Sequence, residues 1–382
     1  MTASLRRLSS MAGSNLFELA AQERQRLGRP LEVGELQGLV EARGDEAVCA
    51  VIAAALEGSK ARWSGLKRIA QLLALTEDHA LYQNVLQGQD AGLDFPKWHA
   101  AGFVGSGLGA GSFNVYRRLE ADSGVLFEKI YSRKSRDLQR SAWFYRHTLP
   151  ELPAPPFTTP RRCMLHKGRR LALQYQDYHE LPEQLPKAEI PARAVELSLF
   201  FLDLPPPRGL HRAPAAVRDF TLESNYVSGR AYLRAFLDAQ GRAEAEAALA
   251  EIEATLARLP QVLAHGDINS PNAYRGGLLL DWDRSGYYPP GFDLGFSLSR
   301  TLKLAEAGAL EDFVAARVLP YLDPARHADF LKACLFFALV FYARRFETKV
   351  SDAFLLDLWE LCLVRFGMAS APRRRPWWRL RR

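Results

Sequence analysis

Sulfur is scarce in this chain. Four cysteines (Cys49, Cys163, Cys334 and Cys362) are spread over 382 residues without a Cys-x-x-Cys pair. That spacing excludes a disulfide framework and a thiolate zinc site, and it fits a reducing cytoplasm. Long apolar runs are also missing. The richest, Ala333 to Ala343, falls well short of the roughly 18 residues a membrane-spanning helix requires. Met1 to Ala21 carries Arg6 and Arg7, but Ser, Gly, Asn and Glu18 follow in place of an apolar stretch, so no signal peptide is expected. Acidic excess is absent as well. The net charge is +7, and Arg373, Arg374, Arg375, Arg379, Arg381 and Arg382 account for all but one unit of it. The body of the chain is therefore close to neutral, which weakens the case for nucleic acid that a pI of 9.2 would otherwise make. What remains, 48% hydrophobic and 24% charged, is ordinary for globular protein of a size that holds two or more cored lobes.

The most informative stretch is Leu263-Ala-His-Gly-Asp-Ile-Asn-Ser-Pro-Asn272, followed by Leu278-Leu-Leu-Asp-Trp-Asp283. A short apolar strand, Gln261 to Ala264, is expected to feed the loop carrying Asp267 and Asn272. A second, Leu278 to Leu280, is expected to deliver Asp281 after the turn Arg275-Gly-Gly277. Three oxygen-bearing side chains then converge from two strand ends. Such a set suits magnesium-dependent phosphoryl transfer: one carboxylate orients the acceptor hydroxyl, while an amide and a second carboxylate hold the metal on the nucleotide phosphates.

Earlier in the chain, Gly105-Ser-Gly107-Leu-Gly109-Ala-Gly111-Ser112 runs into an expected strand, Phe113 to Leu119. Glycines without Cβ atoms let backbone N–H groups approach phosphate oxygens, although a plain hairpin turn has the same composition. A further strand, Val125 to Tyr131, carries Lys129, with Glu128 on the opposite face.

His265-Gly-Asp267-x-x-x-x-Asn272 with Asp281-Trp-Asp283 resembles the catalytic core of the aminoglycoside phosphotransferase and choline kinase branch of the protein-kinase-like superfamily. The resemblance implies an α+β, bilobal fold with a small antiparallel-sheet lobe and a larger helical lobe. It makes Asp267 the catalytic base, with His265 and Asn272 in the catalytic set. Asn272, Asp281 and Asp283 become the Mg2+ ligands, and Asp293-Leu294 a brace for the loop, although Asp293 also reads as a helix N-cap. ATP would be held by Gly107, Gly109, Gly111 and Ser112, by Lys129, which lies fourteen positions after Val115, and by backbone groups near Tyr175 to Asp177. One departure stands out. The family places a glutamate on the next helix, expected at Ser135 to Thr148, three positions before a Phe-Tyr pair. Here Ser141 precedes Phe144-Tyr145, and no glutamate occurs between Lys129 and Glu151. Asp137, one turn earlier, could supply the carboxylate; otherwise the lysine has no acidic partner there and catalysis is weakened or lost.

The domain reading is a helical extension over residues 1–95, a sheet lobe over 96–178, a helical lobe over 179–368 and a basic tail over 369–382. The extension shows helical spacing in Leu16 to Leu27, Val33 to Ala42, Glu46 to Leu56 and Trp63 to Leu75, with breaks at Gly28, Gly44 and Gly58. Asp94-Phe-Pro-Lys-Trp98 opens the sheet lobe. Strands are expected over Arg161–Lys167 and Arg169–Tyr175. Helices are expected over Pro191–Asp203, Ser228–Gln240, Arg242–Leu259, Ala309–Leu322, Ala325–Arg345 and Ser351–Phe366. The loop Leu204 to Pro214 is a candidate wall of the acceptor site, and Arg344, Arg345 and Lys349 read as a solvated face. The tail Pro372-Arg-Arg-Arg-Pro-Trp-Trp-Arg-Leu-Arg-Arg382 suits peripheral contact with an anionic membrane surface, which would make a lipid-linked or lipopolysaccharide sugar an attractive acceptor; RNA contact and a plain solubilising end are its other readings. The functional expectation is an ATP- and Mg2+-dependent phosphotransferase acting on a hydroxyl of a small molecule or sugar, in the cytoplasm or at the inner membrane face. The alternatives are an inactive nucleotide-binding scaffold and a docking adaptor.

Overall fold

A computed structural model describes residues 99–106, 115–121, 124–132, 135–161, 163–167, 171–177, 181–302, 306–344 and 350–368, together with Arg26. The expected helices of residues 1–95, the Asp94–Trp98 junction, the turn with Gly107, Gly109, Gly111 and Ser112, and Arg345, Lys349 and the 372–382 tail lie outside the described residues. The chain divides into two compact units, residues 1–138 with 160–180 and residues 139–159 with 181–382.

The first unit is built on a five-stranded antiparallel sheet in the order β1-β2-β3-β5-β4. Its strands are β1 (His99–Ser106), β2 (Val115–Ala121), β3 (Gly124–Ser132), β4 (Cys163–Lys167) and β5 (Leu171–Asp177). β1 is an addition to the sequence reading. Its run His99-Ala-Ala-Gly-Phe-Val-Gly-Ser106 has small residues in place of alternation, and the register with β2 slips between Ala100 and Gly102 and again between Phe103 and Gly105. Such bulges blur the two-residue period on which a strand is recognised. β3 pairs with β5 so that Lys129 lies opposite Gln174 and Glu128 opposite Tyr175. One sheet face therefore carries Lys129, Tyr131, Ala172, Gln174 and Gln176. Tyr131, Ala172 and Leu138 pack together there, with Leu165 at the edge.

The second unit is helical: α2 (Ile190–Leu202), α3 (Ser224–Ala239), α4 (Ala245–Ala257), α5 (Phe292–Thr301), α6 (Gly308–Arg317), α7 (Pro324–Ala343) and α8 (Asp352–Arg365). The division between the units falls within α1 (Arg136–Trp143). α1 runs into a π-helical turn at Phe144–Thr148 and then a 3-10 turn ending at Glu151, because Pro150 cannot continue the ladder. Each helix expected in the second unit is found within about five residues of its expected bounds. Local caps set several starts: the Glu223 carboxylate accepts from the Tyr226 N–H at 2.7 Å, Asp323 from Ala325 at 2.9 Å, and Ser351 Oγ from Phe354 at 3.2 Å.

α7 is the centre of this unit. Ala333 to Ala343, the apolar run of the sequence, is buried on every side, as a helix without a polar face must be. Its neighbours α3 and α5 come close because glycine faces it. A Cβ on Gly229 of α3 would stand 2.4 Å from Val340 O, and one on Gly295 of α5 would stand 2.8 Å from both Ala338 N and Cys334 O. Cys334 on α7 and Cys362 on α8 are completely buried, and burial raises both thiol pKa values well above the ordinary range. Among the described residues no helix is long and apolar enough to cross a membrane. Gly229→Ala is expected to cost about 1–3 kcal/mol or more by overpacking α3 against α7, read as a lower denaturation midpoint. Unchanged stability would mean that the two helices have slack at this crossing.

Candidate active site

Two short strands of the second unit, β6 (Val262–Ala264) and β7 (Gly286–Tyr288), pair antiparallel with Ala264 opposite Gly286. Everything between them is thereby closed into one loop system, which contains both halves of the motif. β7, Gly286-Tyr-Tyr288, is a strand that the sequence reading does not include. The expected strand Leu278–Leu280 is instead held by single bridges, Leu278 to Thr158 and Leu279 to Ala273.

The turn at His265 is fastened from beneath. Asp293 accepts the His265 N–H on Oδ2 and the Gly266 N–H on Oδ1, each at 2.7 Å. This corrects the N-cap reading: Gly291 caps α5 in the left-handed region, and Asp293 lies inside its first turn. Gly266 is left-handed at φ +81°, and a Cβ there would meet Arg284 O at 2.3 Å, so the position admits glycine alone without movement. The His265 ring is fully buried. Its Nε2 lies 2.9 Å from Leu280 O, and its Nδ1 accepts the Asp267 N–H at 3.2 Å. A carbonyl on one side and an N–H on the other fix the tautomer with the proton on Nε2. The ring packs on Trp282 at 4.5 Å. Trp282 in turn stacks on Phe144 at 3.7 Å and 6°, and its Nε1 donates to Thr159 Oγ1 at 3.0 Å.

Above this platform sits Asp267, partly exposed. Asn269 Nδ2 donates to its Oδ1 at 2.7 Å, and Asn272 Nδ2 donates to its Oδ2 at 3.1 Å and to its backbone carbonyl at 2.9 Å. Asn269 was not picked out from the sequence, where it occupies a variable position of the motif. The Leu280 N–H donates to Asn272 O at 2.9 Å, which ties the segment bearing Asp281 to the same loop. Asp281 has φ +66°, the one left-handed residue other than glycine among those described; strain of this kind gathers at functional positions. Burial pushes the Asp267 carboxyl up to about 6, with Asp281 adding to the rise and Arg284 and Arg300 opposing it. Burial likewise raises Asp293 to about 7 against the pull of its two N–H donors.

The structure thus joins Asp267 and Asn272 directly and brings Asp281 into electrostatic range. Asp283 is buried in the 3-10 turn that follows, Trp282–Arg284. The donor set fits a hard cation. Asn272 spends its Nδ2 on Asp267, which leaves its amide oxygen as an acceptor, Asp281 lies within electrostatic range of Asp267, and Asn269 Oδ1 is a buried acceptor that receives no hydrogen bond. In the first unit Lys129 is buried at 4% exposure, in a row with Gln174, which accepts from Tyr131 OH at 3.1 Å and from Gln176 Nε2 at 2.9 Å. The register places the side chains of Tyr175 and Asp177 on the opposite face, so only their backbone can share a ligand with Lys129. Ser141 is fully buried, and Asp137 sits one turn before it in α1.

A model of the phosphotransferase enzyme family matches residues 105–330. No curated protein matches. Among solved structures, an aminoglycoside-3'-phosphotransferase of type VIII is 20% identical, with 70% of this chain and 93% of that chain covered and a TM-score of 0.33. Choline kinase LicA from Streptococcus pneumoniae is 12% identical over 66% and 90% of the two chains, with a TM-score of 0.32. A microcompartment-associated aminopropanol kinase is 11% identical over 68% and 91%, with a TM-score of 0.38.

Asp293→Asn keeps the shape but turns an amide NH2 toward a backbone N–H. One buried donor then loses its acceptor, at a cost of about 1–3 kcal/mol. The expected result is a lower thermal unfolding midpoint, and an unchanged midpoint would show that the two N–H bonds are dispensable.

Proposed function

The chain belongs to the phosphotransferase enzyme family, and from that membership we propose that it transfers the γ-phosphoryl group of ATP to a hydroxyl of a small molecule or sugar. The observation that carries the reading is the Asp267–Asn272 pair. A partly exposed carboxylate of raised proton affinity is locked by two amides on a loop that the buried core fastens. Asp267 orients the acceptor hydroxyl and takes its proton. The acceptor oxygen bonds to Pγ as the bond from Pγ to the β,γ-bridging oxygen breaks, and ADP leaves with that electron pair. Mg2+ supplies charge neutralisation on the phosphates when bound. Asn272 Oδ1 and the Asp281 carboxylate would hold it, with Asp283 completing the set. His265, with both ring nitrogens engaged inside the protein, acts as a positioning residue that fixes the Asp267 backbone. Lys129 and the glycines Gly107, Gly109 and Gly111 with Ser112 take the nucleotide phosphates, and the backbone at Tyr175 to Asp177 takes the adenine edge. An envelope sugar as acceptor, reached by peripheral membrane contact, is the finer reading that the composition of residues 372–382 supports.

A second reading, nucleotide binding without turnover, is favoured by one residue, the buried Ser141 where a glutamate is expected. Calorimetric titration of ATP with and without Mg2+ separates the two together with a transfer assay. Magnesium-dependent binding should collapse in Asp281→Ala. Asp267→Asn should lower transfer by about 10²–10⁴-fold while nucleotide binding persists. Near-normal transfer in Asp267→Asn removes Asp267 from the catalytic role, and binding without any turnover in the unaltered protein favours the scaffold.

A further inference from the structure

Asp293 fastens the loop from α5, and a second set of contacts reaches it from α1. Residues 139–159 belong to the second unit, and Arg140 among them is 1% exposed. A buried guanidinium is costly unless its donors are met. Arg140 directs its donors away from its own helix: Nη2 donates to Leu222 O at 2.8 Å, and Nε is shared between Ala216 O and Tyr288 OH, each at 3.1 Å. Ala216 lies in the short helix Ala215–Arg218, Leu222 in the 3-10 turn Phe220–Leu222, and Tyr288 in β7. The planar fork of one side chain thus spans three separate segments.

Tyr288 carries the contact onward. It is fully buried, and its ring folds back over its own strand: a Cβ on Gly286 would stand 2.4 Å from Tyr288 Cζ and 2.5 Å from its hydroxyl. The hydroxyl proton is shared between Arg284 O at 3.3 Å and Ala216 O at 3.4 Å, a three-centre arrangement whose legs are longer than those of a simple bond. Arg284 O is the atom against which Gly266 packs. A line of contacts therefore runs from Arg140 through Tyr288 and Arg284 O to Gly266, and it ends one residue before Asp267. A second line leaves the same helix. Phe144, one turn after Arg140, stacks on Trp282, and Trp282 packs on His265. α1 and its continuation thus meet Trp282 directly and Arg284 through Tyr288. These two residues flank Asp283, and they touch His265 and Gly266, the two that precede Asp267. A fastener for α1 alone accounts for the bonds to Ala216 and Leu222. It does not account for a tyrosine folded over a glycine so that its hydroxyl sits between Arg140 and the carbonyl against which Gly266 rests.

We propose that Arg140 and Tyr288 are positioning residues for phosphoryl transfer: they fix the Arg284 carbonyl as a floor for Gly266, and so hold Asp267 in register with the segment that carries Asp281 and Asp283. This rests on the phosphotransferase reading of Asp267 and deepens it. The part played by the pair is mechanical, and neither residue supplies a group to the reaction. Small displacements of a reacting group are costly to turnover, so a support three contacts away from Asp267 is felt in kcat before it is felt in nucleotide binding.

The experiment reads the hold on the loop separately from turnover. Hydrogen exchange of the full chain, followed by mass spectrometry, reports the loop through the peptide 263–272 and the scaffold through 333–343. ADP formation from ATP and Mg2+, with water as the acceptor, gives kcat and the KM for ATP. In Tyr288→Phe, Arg140 keeps Ala216 O and the link through the hydroxyl is lost. Exchange in 263–272 should then quicken about fivefold or more, with 333–343 unchanged. The kcat should fall about tenfold, with the KM for ATP unchanged. Arg140→Lys keeps the charge but not the fork and should shift both readouts in the same direction. The double variant should lose less than the product of the two single losses, as members of one chain do. Tyr287→Phe is the control. It removes a hydroxyl of the same strand that is bonded to Thr148 Oγ1 at 3.2 Å, so it should lower the thermal midpoint and leave kcat and exchange in 263–272 as they were. Unchanged exchange in Tyr288→Phe overturns the proposal, as does unchanged kcat in a protein that turns ATP over, or an equal loss of kcat in Tyr287→Phe. If the unaltered protein forms no ADP while Tyr288→Phe still quickens exchange in 263–272, the coupling stands and the phosphotransferase reading fails.

Discussion

A single carboxylate holds the loop to the core. Asp293, in the first turn of α5, accepts two successive backbone N–H groups from His265 and Gly266. It does so from a helix packed against α7, the most deeply buried element of the second unit. Two parallel hydrogen bonds to one rigid acceptor fix both position and twist of the peptide that precedes Asp267. The glycine conformation, the His265 tautomer and the amide clamps on Asp267 are all consequences of that fixed starting point. The loop has no regular secondary structure, yet its geometry is inherited from a helix that does.

The sequence disclosed the parts of this arrangement that depend on local chemistry. His265, Asp267, Asn272 and Asp281 were visible because their types and spacing are constrained together, and the helices of the second unit were visible because apolar residues recur along them. What stayed hidden was pairing across the chain. β7 is too short to show a period, and its partner β6 lies some twenty residues earlier. Asp293 carries the ordinary signature of a helix start, and nothing in its neighbours says that its acceptors turn backward to residue 265. Arg344 looked like one of a solvated cluster because α7 is followed by Arg345 and Lys349, whereas its environment is set by Asn225 and the end of α5. Asn269 fell at a position the motif leaves open, and only the fold turns its amide onto Asp267.

The electrostatic character of the second unit is similarly non-local. Asp281 raises the proton affinity of Asp267, while Arg284 and Arg300 work against that rise. Asp267 and these two arginines are therefore parts of one charge distribution: the cations help keep it ionised in a place where burial alone would favour its neutral form.

The two interior cysteines give this core a use as its own reporter. Cys334 and Cys362 sit on α7 and α8 with no solvent exposure, and burial holds both thiols in the protonated form. A thiol-specific reagent needs the thiolate and a path to it, and the closed helices offer neither. Alkylation at these positions can proceed only through openings that part α7 from its neighbours, so its rate in native buffer counts those openings directly and measures the rigidity of the scaffold that α5 and Asp293 hand on to the loop.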